Sequence, residues 1–173
     1  GSYQLVEPLG VGGMGEVWRA YHRMLARPAA VKLIRPEVLG GDQTTRQVVL
    51  TRFQREAEAT AALRSVHTIQ LHDFGVTEDG SFYYVMELLD GLSFKDLVER
   101  FGPIPSGRVV YLLRQACHSL GEAHQRGMIH RDVKPANLYT CRLGPDHDFV
   151  KVLDFGLVKS TDDAFPGATE LTA

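Results

Sequence analysis

Met128-Ile129-His130-Arg131-Asp132-Val133-Lys134-Pro135-Ala136-Asn137, followed further on by Lys151-Val152-Leu153-Asp154-Phe155-Gly156, is the stretch on which the reading of this chain turns. It supplies a carboxylate (Asp132), a cation (Lys134) and an amide (Asn137) at fixed offsets. A second carboxylate then stands beside a glycine, and apolar residues flank both turns. Catalysed phosphoryl transfer needs such a set: one acid to orient a hydroxyl and take its proton, and an Asp and an Asn to hold a divalent cation. Asn137 lies five residues after Asp132, and Asp154 lies 22 residues after it. That spacing is too specific for two coincidental acidic loops.

Upstream, the chain reads strands first and helices second. Tyr3 to Leu9, Val17 to Tyr21 and Ala29 to Ile34 are β-rich runs, the first two separated by a glycine-rich turn. Pro36 to Arg46 is Gly/Asp/Thr-rich and reads as a mobile connector. Thr51-x-x-Gln54 predicts a helix start, with Phe53, Ala57 and Ala61 on one face. Ile69 to Phe74 and Phe82 to Leu88 give two more strands around a Glu78-Asp79-Gly80 turn. Ser93-x-x-Asp96 predicts a short helix ending near Gly102-Pro103. Val109, Leu112, Leu113, Ala116, Leu120 and Ala123 then repeat at helical spacing, with Gly127 as the C-cap. Beyond Asn137, Leu138-Tyr139 and Phe149 to Leu153 bracket a Gly-Pro-Asp turn. Without a βαβ alternation, this order predicts an α+β fold rather than a parallel sheet.

The bulk numbers fit one ordinary domain. The 173 residues are 44% hydrophobic and 23% charged. A formal charge of −2, from 19 basic and 21 acidic side chains, implies no nucleic-acid-binding surface. No apolar run approaches the ~20 residues of a bilayer span. Cys117 and Cys141 fall in predicted core segments without a paired spacing, so a reduced, cytoplasmic setting is expected. Asp146-His147-Asp148 reads as a polar hairpin tip rather than a metal trap.

On these residues the segment resembles the catalytic loop and metal-binding turn of the eukaryotic-like (Hanks-type) protein kinases, in particular their bacterial serine/threonine branch. The resemblance implies a bilobal fold: a five-stranded antiparallel N-lobe with one main helix over residues 3–88, and an incomplete helical C-lobe over 89–173. It also implies ATP and Mg²⁺ (or Mn²⁺) as cofactors, and a protein with Ser/Thr hydroxyls as substrate. Asp132 would then be the catalytic carboxylate. Lys134 would be a cation near the transferring phosphoryl group, and Asn137 and Asp154 the metal-holding oxygens. Phe155 would pack beneath the main helix, and Gly156 would let the turn flip.

Gly10-x-Gly12-Gly13-x-Gly15-x-Val17 is a glycine fingerprint that also marks dinucleotide-binding folds. There the third glycine opens a helix; here Gly15 leads into a strand, which favours a strand–turn–strand flap over ATP. Lys32, in the middle of an apolar strand, needs an anionic partner or ligand. Resemblance assigns it the ATP phosphates and a helix glutamate, with Glu56 preferred over its competitor Glu58. Resemblance also puts Val17 and Ala30 above the adenine ring and Tyr139 below it. Met86 becomes the gatekeeper, Glu87-Leu88-Leu89 the hinge, and Thr60, Leu71, His130 and Phe155 a spine between lobes. Each single apolar residue among these reads equally well as ordinary core.

Only 19 residues follow Asp154, whereas a full member of the family continues through a peptide-positioning loop and several helices. A piece of a longer polypeptide is therefore expected, with uncovered apolar faces on the Val109–Ala123 helix. Any membrane attachment would come from parts outside this chain. Arg131 beside Asp132 implies ordering by a phosphate on the segment after Asp154, with Thr169 and Thr172 as the preferred self-phosphorylation sites over Ser160 and Thr161. Two functions stand side by side: an ATP-dependent protein serine/threonine kinase, or a nucleotide-binding regulatory module with little catalysis. A dinucleotide oxidoreductase rests on the glycines alone.

Overall fold

The computed structural model describes residues 2–39 and 42–155. Five strands form the first sheet: β1 (Tyr3–Gly12), β2 (Gly15–His22), β3 (Arg27–Ile34), β4 (Leu71–Val76) and β5 (Phe82–Glu87). They are antiparallel in the order β1-β2-β3-β5-β4. β1 and β2 form a long hairpin closed by Gly12↔Gly15, leaving Gly13-Met14 at its tip. Gly15 is required by a close approach: a Cβ there would lie 1.8 Å from the Leu33 carbonyl oxygen.

Helix α1 (Gln43–Ala61) covers one face of this sheet through Phe53, Ala57 and Thr60. Phe53 and Ala57 pack with Ile34, Leu39, Phe82 and Tyr84, and Phe53 stacks on Phe82 at 5.2 Å. The helix begins nine residues before the expected start. Asp42 caps it, its Oδ1 accepting the Thr45 N–H at 2.9 Å, and Pro36–Leu39 forms a 3-10 turn where a loose connector was expected. Thr51 instead sits inside the helix and donates its hydroxyl to Gln47 O at 2.9 Å. Ala61 is exposed, so Thr60 completes the buried stripe. β4 likewise runs two residues later than expected, with Ile69 buried just ahead of it.

From Gly91 the chain builds a small sheet and two helices. Helix α2 (Phe94–Phe101) has the expected Ser93 cap, whose Oγ accepts the Asp96 N–H at 3.0 Å. Helix α3 (Ser106–Gln125) ends in a Schellman arrangement around Gly127, at φ 74°: Met128 N–H reaches Ala123 O at 2.9 Å and Gly127 N–H reaches His124 O at 3.0 Å. β6 (Gly91–Ser93), β7 (Leu138–Leu143) and β8 (Asp146–Val152) follow the order β6-β7-β8. Leu112, Ala116 and Ala123 of α3 pack with Leu138, Val150, Val152 and Phe155.

Two polar residues that the apolar pattern passed over share that buried face. Gln115 donates to Asp148 O at 2.8 Å and accepts from Val150 N–H at 3.1 Å. Ser119 meets Thr68 Oγ1 at 2.7 Å. Leu113 is exposed with Val110 and Tyr111 on the far side of α3. Cys117 is also exposed, against the expectation of a core position; Cys141 is buried, and both are free thiols.

The two halves are tied at β8. Val152 N–H donates to His67 O at 2.7 Å and Ile69 N–H donates to Val152 O at 3.0 Å. Lys151 reaches Glu87 at the end of β5 at 2.6 Å. Among the described residues, no helix is long and apolar enough to cross a membrane.

Candidate active site

Between the sheet and the helical part lies a cavity of about 250 Å³. The β1–β2 hairpin roofs it with Leu9, Gly10 and Val17, and β3 adds Ala30 and Lys32. The link after β5 supplies Met86, Glu87, Leu88 and Leu89, and the floor is Ala136, Tyr139 and Leu153. Asp154 closes one end. Of the expected cleft residues, Gly10, Val17, Ala30, Lys32, Met86, Glu87, Leu89, Tyr139 and Asp154 all lie on its wall. Gly12, Gly13 and Gly15 do not; they stand at the hairpin end. Leu9, Ile69, Ala136 and Leu153 line it without having been foreseen. Each adjoins a residue that was singled out or ends an apolar run, and a one-dimensional pattern gives such neighbours no mark of their own.

Asp154 sits where the chain leaves β8, with its backbone in the left-handed region at φ 56°. Its Oδ2 accepts the Lys32 ammonium at 2.7 Å and its Oδ1 accepts the Tyr84 hydroxyl at 2.6 Å. Burial pushes its pKa up, but the Lys32 charge and the hydrogen bonds from Lys32 and Tyr84 outweigh that and hold the carboxyl below its usual range. Burial drives the Tyr84 phenol well above its ordinary value, and the neighbouring Asp154 charge and hydrogen bond add to the effect.

Lys32, 8% exposed, therefore takes Asp154 as its partner rather than the Glu56 expected from the sequence. Glu56 accepts Arg52 Nε, one helical turn earlier, at 3.1 Å. Its pKa is raised by burial, against the opposing pull of Arg52 and of the Arg131 charge. A buried ammonium takes the carboxylate within reach, and Asp154 is that carboxylate. Glu56 is nonetheless the half-buried member of its pair, while Glu58 faces solvent.

The loop before β7 forms a second polar group next to the first. Asp132 Oδ2 accepts Lys134 Nζ at 2.7 Å and Asn137 Nδ2 at 3.1 Å, and the same amide donates to Asp132 O at 2.9 Å. That use of its nitrogen leaves the Asn137 carbonyl oxygen as the accepting end of the amide. His130 is buried beneath. Its Nε2 donates to Leu153 O at 2.8 Å, its Nδ1 accepts the Asp132 N–H at 3.3 Å, and its ring packs on Phe155 at 4.8 Å. Arg131 is held at φ 62°, a left-handed backbone uncommon for a long side chain. Leu153 N–H donates to Asn137 O at 2.9 Å, which locks the loop to the strand carrying Asp154. Phe155 is fully buried, and Leu63, just past α1, packs on its cluster. Gly156, Ser160, Thr161, Thr169 and Thr172 lie outside the described residues.

The sequence profile described as "Protein kinase domain" matches residues 3–170. The chain belongs to this family. It is 38% identical over 166 residues to the serine/threonine-protein kinase pkn3 of Myxococcus xanthus, covering 96% of this chain and 29% of that protein. It is equally 38% identical over 170 residues to the serine/threonine-protein kinase PknD of Mycobacterium tuberculosis, covering 98% of this chain and 24% of the relative. The chain thus spans under a third of the length of these curated relatives. Among solved structures, the kinase domain of Mycobacterium tuberculosis PknI superposes with a TM-score of 0.76 at 32% identity, over 91% of this chain and 61% of that one. Rad53 1-466 in complex with AMP-PNP superposes with a TM-score of 0.75 at 27% identity, over 90% of this chain and 38% of that one. The kinase-like fold expected from the sequence is the one observed, with its five-stranded antiparallel sheet, main helix and helical part.

Within the family, Arg108 and Asp148 explain the acidic hairpin that had invited a metal reading. Asp148 accepts both Arg108 Nε and Nη2, at 2.8 and 2.7 Å. Among the described residues, no group of three His, Cys, Asp or Glu side chains gathers around one point.

Proposed function

We propose that the protein is an ATP-dependent protein serine/threonine kinase, moving the γ-phosphoryl of ATP to a Ser or Thr hydroxyl of a protein. The observation that carries this reading is the meeting of Lys32 and Asp154, 122 residues apart, at the end of the interlobe cavity. The likeness to a Rad53 structure holding AMP-PNP supports an adenine nucleotide as occupant. Adenine would lie between Val17 and Ala30 above and Tyr139 below, with Met86 behind it and the backbone of Glu87–Leu89 at its edge. At Gly10, Gly12 and Gly13 an added Cβ would meet nothing within 4 Å, so the chain's own packing does not demand glycine there. Bare backbone that admits phosphate oxygens gives those glycines a use.

A divalent cation fits the donors. Asp154 and the Asn137 carbonyl would hold it, two hard oxygens that suit Mg²⁺ or Mn²⁺ keeping water and phosphate oxygens in its other positions. When bound, it neutralises charge on the phosphates. Asp132, its carboxylate held by Lys134 and Asn137, would align the acceptor hydroxyl and take its proton, with Lys134 placing a cation near the transferred group. Lys32 would move from Asp154 onto the nucleotide phosphates, with Glu56 as the carboxylate that steadies it. Two free thiols and the need for ATP fit a cytoplasmic domain.

The test is labelled-phosphate transfer to protein by the full-length protein. Asp132→Asn and Lys32→Ala are each expected to cut transfer by roughly 10²-fold or more. Undiminished transfer in both variants would refute these roles for Asp132 and Lys32. Phosphopeptide mapping of the active protein is expected to find Thr169 or Thr172 modified, with Ser and Thr rather than Tyr among the acceptors.

A further inference from the structure

We propose that Tyr84 is a positioning residue for Asp154: its hydroxyl holds the carboxylate oriented when Lys32 has left it for the nucleotide. The inference rests on the reading of Asp154 as a cation ligand and adds to it a residue outside the cleft wall.

Phe82, Tyr84 and Met86 alternate along β5 on the face that belongs to the core beneath α1, while Val85 is buried on the opposite face. Tyr84 stands directly across from Lys32 in the β3–β5 register and is 1% exposed. A phenylalanine would fill that apolar site equally well. The oxygen is what tyrosine adds, and a phenol oxygen buried without a partner is costly. Here the hydroxyl reaches out of the core to Asp154 Oδ1 at 2.6 Å, while the Lys32 ammonium takes Oδ2 at 2.7 Å and lies 5.6 Å over the Tyr84 ring. Asp154 is thus held from two sides, one charged and one neutral.

The two donors do not have the same future. A nucleotide brings phosphate oxygens that compete for Lys32, and an ammonium on a four-carbon stem can follow them. Tyr84 cannot follow. Its ring is locked in the core, and its neutral hydroxyl gains little from leaving a carboxylate. Each carboxylate oxygen has two lone pairs, so Oδ1 can keep Tyr84 and still accept a cation, and Oδ2 is vacated by Lys32. Asp154 sits in a left-handed turn at the end of β8, a backbone conformation uncommon for a residue with a Cβ. One donor anchored in the core restrains its side chain, as outer hydrogen bonds do for other metal-holding carboxylates.

Tyr84→Phe tests this, since it removes one oxygen and leaves the packing. ATP affinity of the full-length protein is measured by calorimetry without metal and across a Mg²⁺ series, beside the Mg²⁺ dependence of kcat and of KM for ATP. The expected result is a half-saturating Mg²⁺ concentration raised about tenfold, the low end for losing an outer-shell partner, with metal-free ATP affinity unchanged. A rise under threefold, a fall, or an equal loss of metal-free affinity would overturn the proposal, the last because it marks a packing role only. Asp154→Asn runs in parallel. If that variant keeps the wild-type Mg²⁺ dependence, the reading of Asp154 itself fails, whatever Tyr84→Phe does.

Discussion

Lys151→Met should unseat the joint between the halves of the domain. Lys151 on β8 points at Glu87 at the end of β5, with Nζ 2.6 Å from Oε1 and side-chain exposures of 9% and 19%. Glu87 also accepts the Gln70 N–H at 2.9 Å, so its carboxylate is pinned on the N-lobe side. At 2.6 Å and an effective dielectric of ~20, the attraction is about 6 kcal/mol, most of which offsets the desolvation of both groups. Removing the lysine alone leaves the desolvation of Glu87 uncompensated, a loss of about 3 kcal/mol. For a domain of this size that is a melting-point fall of roughly 6–12 °C. Glu87→Leu in the same background should recover most of it, because the unpaired charge is gone. The assay is a double-mutant cycle on the domain's calorimetric transition in the full-length protein. A single-variant shift below 2 °C, or a double variant no better than Lys151→Met, would refute the reasoning.

Other outcomes follow from the same geometry. Gly15→Ala should destabilise the domain by ~3 kcal/mol, since its Cβ would strike the Leu33 carbonyl. Gly13→Ala should leave the melting temperature unchanged while weakening ATP binding, as thermal melts and calorimetry would show. The Asp154 carboxyl is held below its ordinary value of 3.8, so the stability it contributes is present above that pH and is lost as pH falls through its depressed folded value. Acid unfolding of Lys32→Met should therefore begin at a higher pH than that of the wild type, followed by circular dichroism; coincident curves would count against the ion pair.

Much of this molecule was legible in its chain because much of its chemistry is local. The Asp132–Lys134–Asn137 group closes within six residues, the Ser93 cap within four, and the Gly127 stop within one turn, so residue type and spacing carry them. The 3.6-residue repeat of α3 likewise reports a side that faces inward, through Leu112, Ala116 and Ala123. The start of α1 differs from the one that Thr51-x-x-Gln54 predicts because Asp42 caps the helix nine residues earlier, and a local capping pattern carries no information on how much helix the sheet can support.

What the linear order determined was the inventory: the carboxylates, the lysine, the glycine hairpin and the strand-then-helix layout. Only three-dimensional packing decided the partners. Lys32 pairs with Asp154 in place of the expected Glu56, Glu56 turns to Arg52, Gln115 and Ser119 enter the core to meet backbone and hydroxyl, and Tyr84 reads as plain core until its oxygen is seen against Asp154. The reason is range. Hydrogen bonds and ion pairs act over about 3 Å, and contacts between groups 70 or 122 residues apart exist only once the sheet and helices have brought them together.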